Sequence, residues 1–308
     1  MKLSIITPMY NSGQYIGRMI QALKDLDSPQ DQFEIIIIDN GSSDNSVKIV
    51  KEFDLSCSIM RNASISQMRN AGAEKAKGEI LGFIDSDCIV SDDWAKKAIG
   101  FIADDLGVVG GYYGLGDSPG WVEKTWHGLK KNVTGDVSFV SAGNMVIKAK
   151  LFNEIGGFDE SVETGEDWDL CQRVIGAGYR VVNQPSLNVK HLGNYKSLFG
   201  IIKKERWYGR GMFSVLKGRM LTKPLLASYL FLIFLFVAAA SLLTSSYNVM
   251  LASLLGIVLL VFLMSYHFIR NVKNNRFSMF IKCIPISFCY VLGRSLSIVD
   301  LAKKRFIS

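Results

Sequence analysis

Two carboxylates one residue apart, Asp85 and Asp87, follow directly on the apolar run Ile80–Ile84 in the segment EILGFIDSDC. A buried strand that ends in an acid pair places oxygen ligands at the carboxyl edge of a sheet, where open α/β sheets bind their ligands. Hard oxygens of this kind suit Mg2+ or Mn2+, and such an ion needs only one or two of them when substrate phosphates supply the rest. Asp-x-Asp also serves turns and helix N-caps, so the flanking pattern has to discriminate.

That pattern is βαβα. Residues 2–7, 34–39, 57–60 and 80–84 read as strands, and 14–26, 44–53 and 66–76 as helices. This order predicts a parallel sheet. Four consecutive isoleucines, Ile35, Ile36, Ile37 and Ile38, fit a strand covered on both faces. The main strands end in polar residues: Thr7-Pro8-Met9-Tyr10-Asn11, then Asp39-Asn40-Gly41-Ser42, then Asp85-Ser86-Asp87. Three strand ends are therefore expected on one rim. Pro8-Met9-Tyr10 stands where a nucleotidyltransferase would carry a glycine-rich phosphate loop. The absence of a G-x-S-x-G elbow argues against a Ser-His hydrolase.

With 308 residues, 49% of them apolar, the chain can form one large domain or two smaller ones. Residues 225–243 and 249–269 contain no Lys, Arg, Asp or Glu, and each is long enough to cross roughly 30 Å of hydrocarbon. The reading is a domain over 1–215 and a membrane region over 216–308. Lys217, Arg219 and Lys223 before the first span, and Arg270, Lys273 and Arg276 after the second, predict an in-out-in hairpin. A third apolar segment, 279–299, is interrupted by Lys282, Pro285 and Arg294 and followed by Lys303, Lys304 and Arg305. It reads as an in-plane amphipathic helix or a third span, the basic flanks favouring the former. The opening KLSIITPMYN reads as a buried strand and not as a secretion signal, which predicts a multi-pass protein of the cell membrane with its catalytic part in the cytoplasm. Much of the net charge of +7 lies beside the apolar segments, so membrane lipids and not nucleic acid are the expected partners. The five cysteines lack any paired metal spacing and read as reduced thiols.

Together, SIITPMYN, EIIIIDNGSSDNS, SQMRNAGAEKAKGEILGFIDSDC and GGFDESVETGEDWDLCQRV resemble a family 2 glycosyltransferase of the GT-A fold over roughly the first two hundred residues. The implied fold class is α/β: a Rossmann-like mixed sheet with flanking helices, followed by the apolar C-terminal segments. The implied activity is inverting transfer of a sugar from a nucleotide-sugar, with Mn2+ or Mg2+ as cofactor. On this resemblance Thr7, Pro8, Tyr10 and Asn11 line the base and ribose, and Asp39 contacts the base. Asn40 replaces a second acid at that strand end. Arg69 lies near the diphosphate, and Asp85, Ser86 and Asp87 form the DxD element on donor and metal. Tyr10 offers a flat face for stacking, and Asp39 could equally head a turn.

The implied general base is Asp167, with Glu166 as the neighbouring alternative; Asp169 reads as a helix cap. His191, in NVKHLG, falls where several relatives place a metal or diphosphate histidine, and a structural role is its other reading. Gly143 and Asn144 resemble the acceptor side, where small residues allow close backbone approach. Arg206 and Trp207 match part of a QxxRW motif, but Lys203 replaces its glutamine, which argues against processive polymerisation. Residues 110–135, with Tyr112, Tyr113 and Trp121, read as a mobile acceptor-side flap.

The expected acceptor is a lipid-linked glycan at the cytoplasmic face, serving cell-envelope polysaccharide or glycoconjugate synthesis. A polyprenyl phosphate is the close variant. A non-catalytic nucleotide-sugar-binding scaffold is the reading from another class; its weakness is that it has no use for a base. Donor, linkage and oligomeric state are left open by the sequence.

Overall fold

The computed structural model describes residues 1–101, 105–130, 133–211, 222–270, 272 and 276–307. Strands are β1 (Leu3–Met9), β2 (Phe33–Asp39), β3 (Cys57–Ile59), β4 (Ile80–Ile84), β5 (Cys88–Ile89), β6 (Leu106–Gly110), β7 (Tyr113–Gly114), β8 (Gly135–Asp136), β9 (Asn144–Lys148), β10 (Arg180–Asn183) and β11 (Val189–His191). Helices are α1 (Ile16–Lys24), α2 (Ser46–Glu52), α3 (Ile65–Lys75), α4 (Trp94–Phe101), α5 (Trp121–Leu129), α6 (Ala149–Glu154), α7 (Glu166–Gly176), α8 (Leu198–Gly211), α9 (Lys223–Leu243), α10 (Tyr247–Ile269) and α11 (Arg276–Ile307). They fall into two compact units, Met1–Asp117 with Asn132–Gly193, and Ser118–Lys131 with Asn194–Ser308. The division thus lies after Gly193, ahead of the boundary expected at 215, and α5 belongs to the second unit.

The first unit is built on an eight-stranded sheet ordered β3-β2-β1-β4-β9-β6-β10-β8. The expected parallel part is present, β1 pairing with β2 and β4, and β2 with β3. Strand β9 then runs antiparallel between β4 and β6, which makes the sheet mixed. One face buries Leu3, Ile5 and Met9 against α1, α2 and Trp94 of α4. The other buries Ile6, Leu81 and Phe83 against α6, α7 and Phe158. A separate small sheet, β5-β11-β7, pairs His191 with Cys88 in antiparallel register.

Two local devices aim the site. Helix α3 opens on a capping box, with Ser64 Oγ accepting from the Gln67 N–H at 3.2 Å and Gln67 Oε1 accepting from the Ser64 N–H at 2.8 Å. Its buried face carries Met68, Arg69 and Gly72. Helix α7 starts after Gly165, whose φ of +91° is the left-handed conformation that a side chain would strain.

In the second unit, α11 packs against α5, α8, α9 and α10 around Tyr195, Ile201, Phe231, Met264 and Tyr290. Helices α9, α10 and residues 276–302 of α11 are each long and apolar enough to cross a membrane. The third segment is therefore a packed helix of span length. Pro285 does not end it, and Arg294 is answered by Glu205 Oε2 at 2.7 Å. Lys217, Arg219 and Lys273, and the side chains of Lys303, Lys304 and Arg305, lie outside the described residues.

Phe158 packs on Phe83 at 5.1 Å and Phe152 at 5.5 Å between ring centroids, in a fully enclosed position. We expect Phe158→Ala to destabilise the first unit by about 3–5 kcal/mol through the cavity left behind. Ser64→Ala, which removes one cap, should cost about 1 kcal/mol. Denaturant titration of the detergent-solubilised protein checks the ranking; equal effects would contradict this assignment of core and cap.

Candidate active site

The rim begins with two stitched loops. Asp39 is 1% exposed, and its Oδ2 accepts from the N–H groups of Gly41 and Ser42, each at 3.0 Å, while Oδ1 accepts from Ser42 Oγ at 2.5 Å. Its visible role is therefore to close the turn after β2. Asn11, at φ +47°, accepts on Oδ1 from the Ser43 N–H at 2.9 Å and donates its own N–H to Ser42 Oγ at the same distance. Tyr10 stands out from this rim, 58% exposed. Thr7 and Pro8 are buried inside β1, and the Thr7 hydroxyl has no hydrogen-bond partner among the described residues. Neither presents a surface to a ligand here, because both strand faces are covered.

Arg69 forms the centre. Only 4% exposed, it donates from Nη2 to Asp85 Oδ1 at 2.9 Å and from Nη1 to Glu166 Oε1 at 2.6 Å. Its cationic face also lies over the Phe158 ring, 5.5 Å from the centroid. Burial opposes its charge, but Asp85 and Glu166 outweigh that and hold the guanidinium protonated. The next residue, Asn70, donates to the Phe158 carbonyl and accepts from the Phe158 N–H, both at 2.9 Å. Burial lifts the Asp85 carboxyl above its ordinary range, against the pull of Arg69 and with the push of Asp87.

Asp167 lies in the first turn of α7, half-buried, with hydrogen bonds from the N–H groups of Trp168 and Ala142. Burial, then the charge of Glu166, raises its carboxyl to about 6, overcoming Arg69 and those N–H donors. Asp169 pairs with Arg173 at 2.7 Å, as a helix-surface residue would. Gly143 abuts the acids: a Cβ there would lie 2.1 Å from Asp85 Oδ2 and 2.5 Å from the Tyr113 hydroxyl, so no side chain fits.

Asp87 sits apart from the Arg69 network. Its Oδ1 is 3.4 Å from His191 Nε2, and Cys88 Sγ donates to the same oxygen at 3.9 Å. A Cβ on Gly193 would meet Asp87 Oδ2 at 1.9 Å. Tyr113 packs edge-on against His191 with centroids 4.9 Å apart. Burial and the acids push the Cys88 thiol and the Tyr113 phenol well up. Asp87 and His191 are the pair that could hold a divalent ion: one hard oxygen and one imidazole nitrogen face each other within ligand reach. Ser86, between the two acids, exchanges a 2.7 Å hydrogen bond with Ser12.

The structure thus gathers Asp85, Asp87, Arg69, Glu166, Asp167, His191 and Gly143. Asn144 is corrected: it is wholly buried, accepting from Trp94 Nε1 at 3.1 Å and donating to the Leu187 carbonyl at 2.6 Å, so its amide serves the core and not an acceptor. Arg206 and Trp207 belong to the second unit, where Arg206 grips Asp300 through two hydrogen bonds of 2.7 and 2.6 Å and Trp207 is 41% exposed. The expected flap at 110–135 contains β7 and α5, and residues 131 and 132 lie outside the described residues. Asn70, Cys88, Tyr113 and Gly193 were not singled out as site residues from the sequence. Adjacency to Arg69, Asp87 and His191 was the available signal for three of them, and Tyr113 had none beyond its place in a glycine-rich stretch.

The chain matches the family model described as Glycosyl transferase family 2 over residues 4–156 and that described as Glycosyl transferase family group 2 over residues 81–270, the latter more than half of the chain. Glycosyltransferase AglE of Haloferax volcanii is 24% identical over 229 residues, 69% of this chain and 73% of that protein. Poly(ribitol-phosphate) beta-N-acetylglucosaminyltransferase TarS of Staphylococcus aureus is 32% identical over 112 residues, 33% of this chain but only 19% of TarS. Mannosyltransferase PcManGT from Pyrobaculum calidifontis, solved with GDP-Man and Mn2+, matches with a TM-score of 0.61 at 15% identity, covering 96% of this chain and 87% of that one. TarS 1–349 with UDP-GlcNAc matches with a TM-score of 0.50 at 20% identity, covering 99% and 92%. The last two likenesses concern fold. With a mixed sheet that carries its acids at the end of β4 and family models that together run from residue 4 to 270, the chain belongs to the family 2 glycosyltransferases, enzymes that use nucleotide-sugar donors.

Proposed function

We propose that this enzyme transfers a sugar with inversion from a nucleotide-sugar to a membrane-associated acceptor, a lipid-linked glycan presented at the cytoplasmic face. The observation that carries the reading is the division of labour among the acids: Glu166 and Asp85 are occupied by Arg69, whereas Asp167 is raised to about 6 and has no cationic hydrogen-bond partner among the described residues. A carboxylate of that basicity suits removal of a proton from a sugar hydroxyl near neutral pH. Asp167 takes that proton, the acceptor oxygen bonds to the anomeric carbon from the face opposite the diphosphate, and the departing bond pair leaves with the nucleoside diphosphate.

Asp87 and His191 fit a divalent cation, and PcManGT was solved with Mn2+. Such a cation, when bound, would offset the charge that grows on the leaving diphosphate. Around it, Tyr10 would stack on the donor base, Asn11 and Asp39 would hold the loops that receive it, and Ser86 would keep the rim fixed through Ser12. Arg69 would act by fixing Asp85 and Glu166 and not by touching the diphosphate. Three helices long and apolar enough to span a membrane support an acceptor in the bilayer, since a tether raises effective concentration without a new contact. Membership of the cell membrane, a cytoplasmic catalytic unit and a place in cell-envelope synthesis are part of the same reading. Arg206 and Trp207 would sit toward the acceptor.

Nucleoside diphosphate release from a panel of nucleotide-sugars, with Mn2+ or Mg2+ and a membrane lipid extract, tests this. Release should require metal and extract, disappear in Asp87→Ala, and fall about 10²–10⁴-fold in Asp167→Asn. Release that survives Asp167→Asn would point to a polyprenyl phosphate, whose oxygen needs no strong base. Metal-dependent donor binding without turnover would support the scaffold reading.

The pH profile follows from the same carboxyl. The base works ionised, so kcat/KM should fall on the acid side of about pH 6, approaching tenfold per pH unit, and the limb should be missing from the residual activity of Asp167→Asn. Arg69→Met should cost about 3–5 kcal/mol of stability, because it leaves the buried Glu166 and the half-buried Asp85 carboxylates without their counter-charge. Near-native stability in that variant would mean that the ion pairs are incidental.

A further inference from the structure

The metal-binding pair has a third neighbour that the family reading does not use. Cys88 follows Asp87 in sequence and stands opposite His191 in the β5/β11 pairing. One ligand atom from each of Asp87, Cys88 and His191 can be chosen so that all lie within 4.8 Å of one another. Asp87 Oδ1 is common to both measured contacts, 3.4 Å to His191 Nε2 and 3.9 Å to Cys88 Sγ. Around tetrahedral Zn2+, ordinary bond lengths put an oxygen and a nitrogen ligand roughly 3.3 Å apart and an oxygen and a sulfur ligand roughly 3.5 Å apart. The two Asp87 separations need to close by only a few tenths of an ångström, and the Cys88–His191 separation, within 4.8 Å, by at most about 1.2 Å.

The donor set is the wrong one for a purely hard ion. Mg2+ takes oxygen ligands and gains nothing from a thiol. Asp85, which would supply a second carboxylate, is held by Arg69. One carboxylate, one imidazole and one thiol are instead the ligand types of zinc sites, and the divalent series already places Zn2+ above Mn2+.

We propose that Cys88 supplies a thiolate to this position, so that it binds Zn2+ in preference to Mn2+ and Mg2+. The proposal rests on Asp87 and His191 being the metal-binding pair. Cys88 S–H loses its proton to solvent as the sulfur–metal bond forms, so binding releases a proton and tightens as pH rises. The mixed site would thereby let Zn2+ compete with the ion that supports sugar transfer, and Cys88 would set the outcome.

The test uses the full chain in detergent with metals alone. Zn2+ should displace bound Mn2+, read by the return of the free Mn2+ paramagnetic resonance signal. In Cys88→Ser and Cys88→Ala, Zn2+ affinity should fall at least about tenfold while Mn2+ affinity changes less than about twofold, because loss of a direct ligand should exceed the loss of an outer-shell partner. Co2+ added to the wild type should give a sulfur-to-cobalt charge-transfer band that is lost in both variants, despite the other four cysteines. Zn2+ binding that is unchanged in both folded variants, or a cobalt band that persists in them, overturns the proposal while leaving the metal-binding pair intact. Binding of Zn2+ and Mn2+ alike that is indifferent to Asp87→Ala overturns the pair itself, and the proposal with it.

Discussion

The junction between the end of β4 and the start of α7 depends on one guanidinium. Arg69 joins Asp85 at the end of β4 to Glu166 at the start of α7, two points remote in sequence, in a setting where the arginine is almost dry. Burying such a group is tolerable only with its partners in place. The requirement propagates outward: α3 must be started in register by Ser64 and Gln67, α7 must begin at a left-handed glycine, and Gly143 must lack a Cβ so that Asp85 can lie beside it. Asn70, next along α3, fixes the turn that leads toward α7 through the backbone of Phe158. A single turn of helix therefore positions both the end of β4 and the start of α7.

That arrangement makes neighbouring acids unlike one another. Glu166 spends its charge on Arg69, and its presence beside Asp167 is one of the reasons that Asp167 holds its proton more tightly. Asp85 and Asp87 diverge in the same way, the first turned to Arg69 and the second to His191 and Cys88. Carboxylates two residues apart, or adjacent, acquire different proton affinities and partners because their neighbours differ.

Much of this was legible in the sequence where the signal is local. The isoleucine run of β2, the apolar β4 with its two acids, and the acidic opening of α7 are patterns of a few residues. Their positions held to within a residue or two. What escaped was non-local. Asn144 sits among small residues that suggest an open acceptor surface, yet Trp94 and Leu187 reach it from other elements. Cys88 lacks any paired spacing because its partner His191 arrives through a second sheet. The Lys282, Pro285 and Arg294 interruptions gave no sign of the partner that answers Arg294, because the carboxylate comes from Glu205 on a neighbouring helix.

The two units use one electrostatic device to different ends. In the second, Glu205 is 2% exposed and receives both Arg294 at 2.7 Å and the Tyr195 hydroxyl at 2.6 Å, one cation to one carboxylate with a donor on each oxygen. Such a group has every reason to stay as it is. In the first, Arg69 faces two carboxylates, with Asp87 and Asp167 close by, so negative charge is in excess. Burial first, and then that poorly screened excess, raises the proton affinity of Asp85 and Asp167 and favours an added cation beside Asp87. Balance makes the Arg294 cluster a packing element; imbalance makes the Arg69 cluster a place where protons and cations can be exchanged.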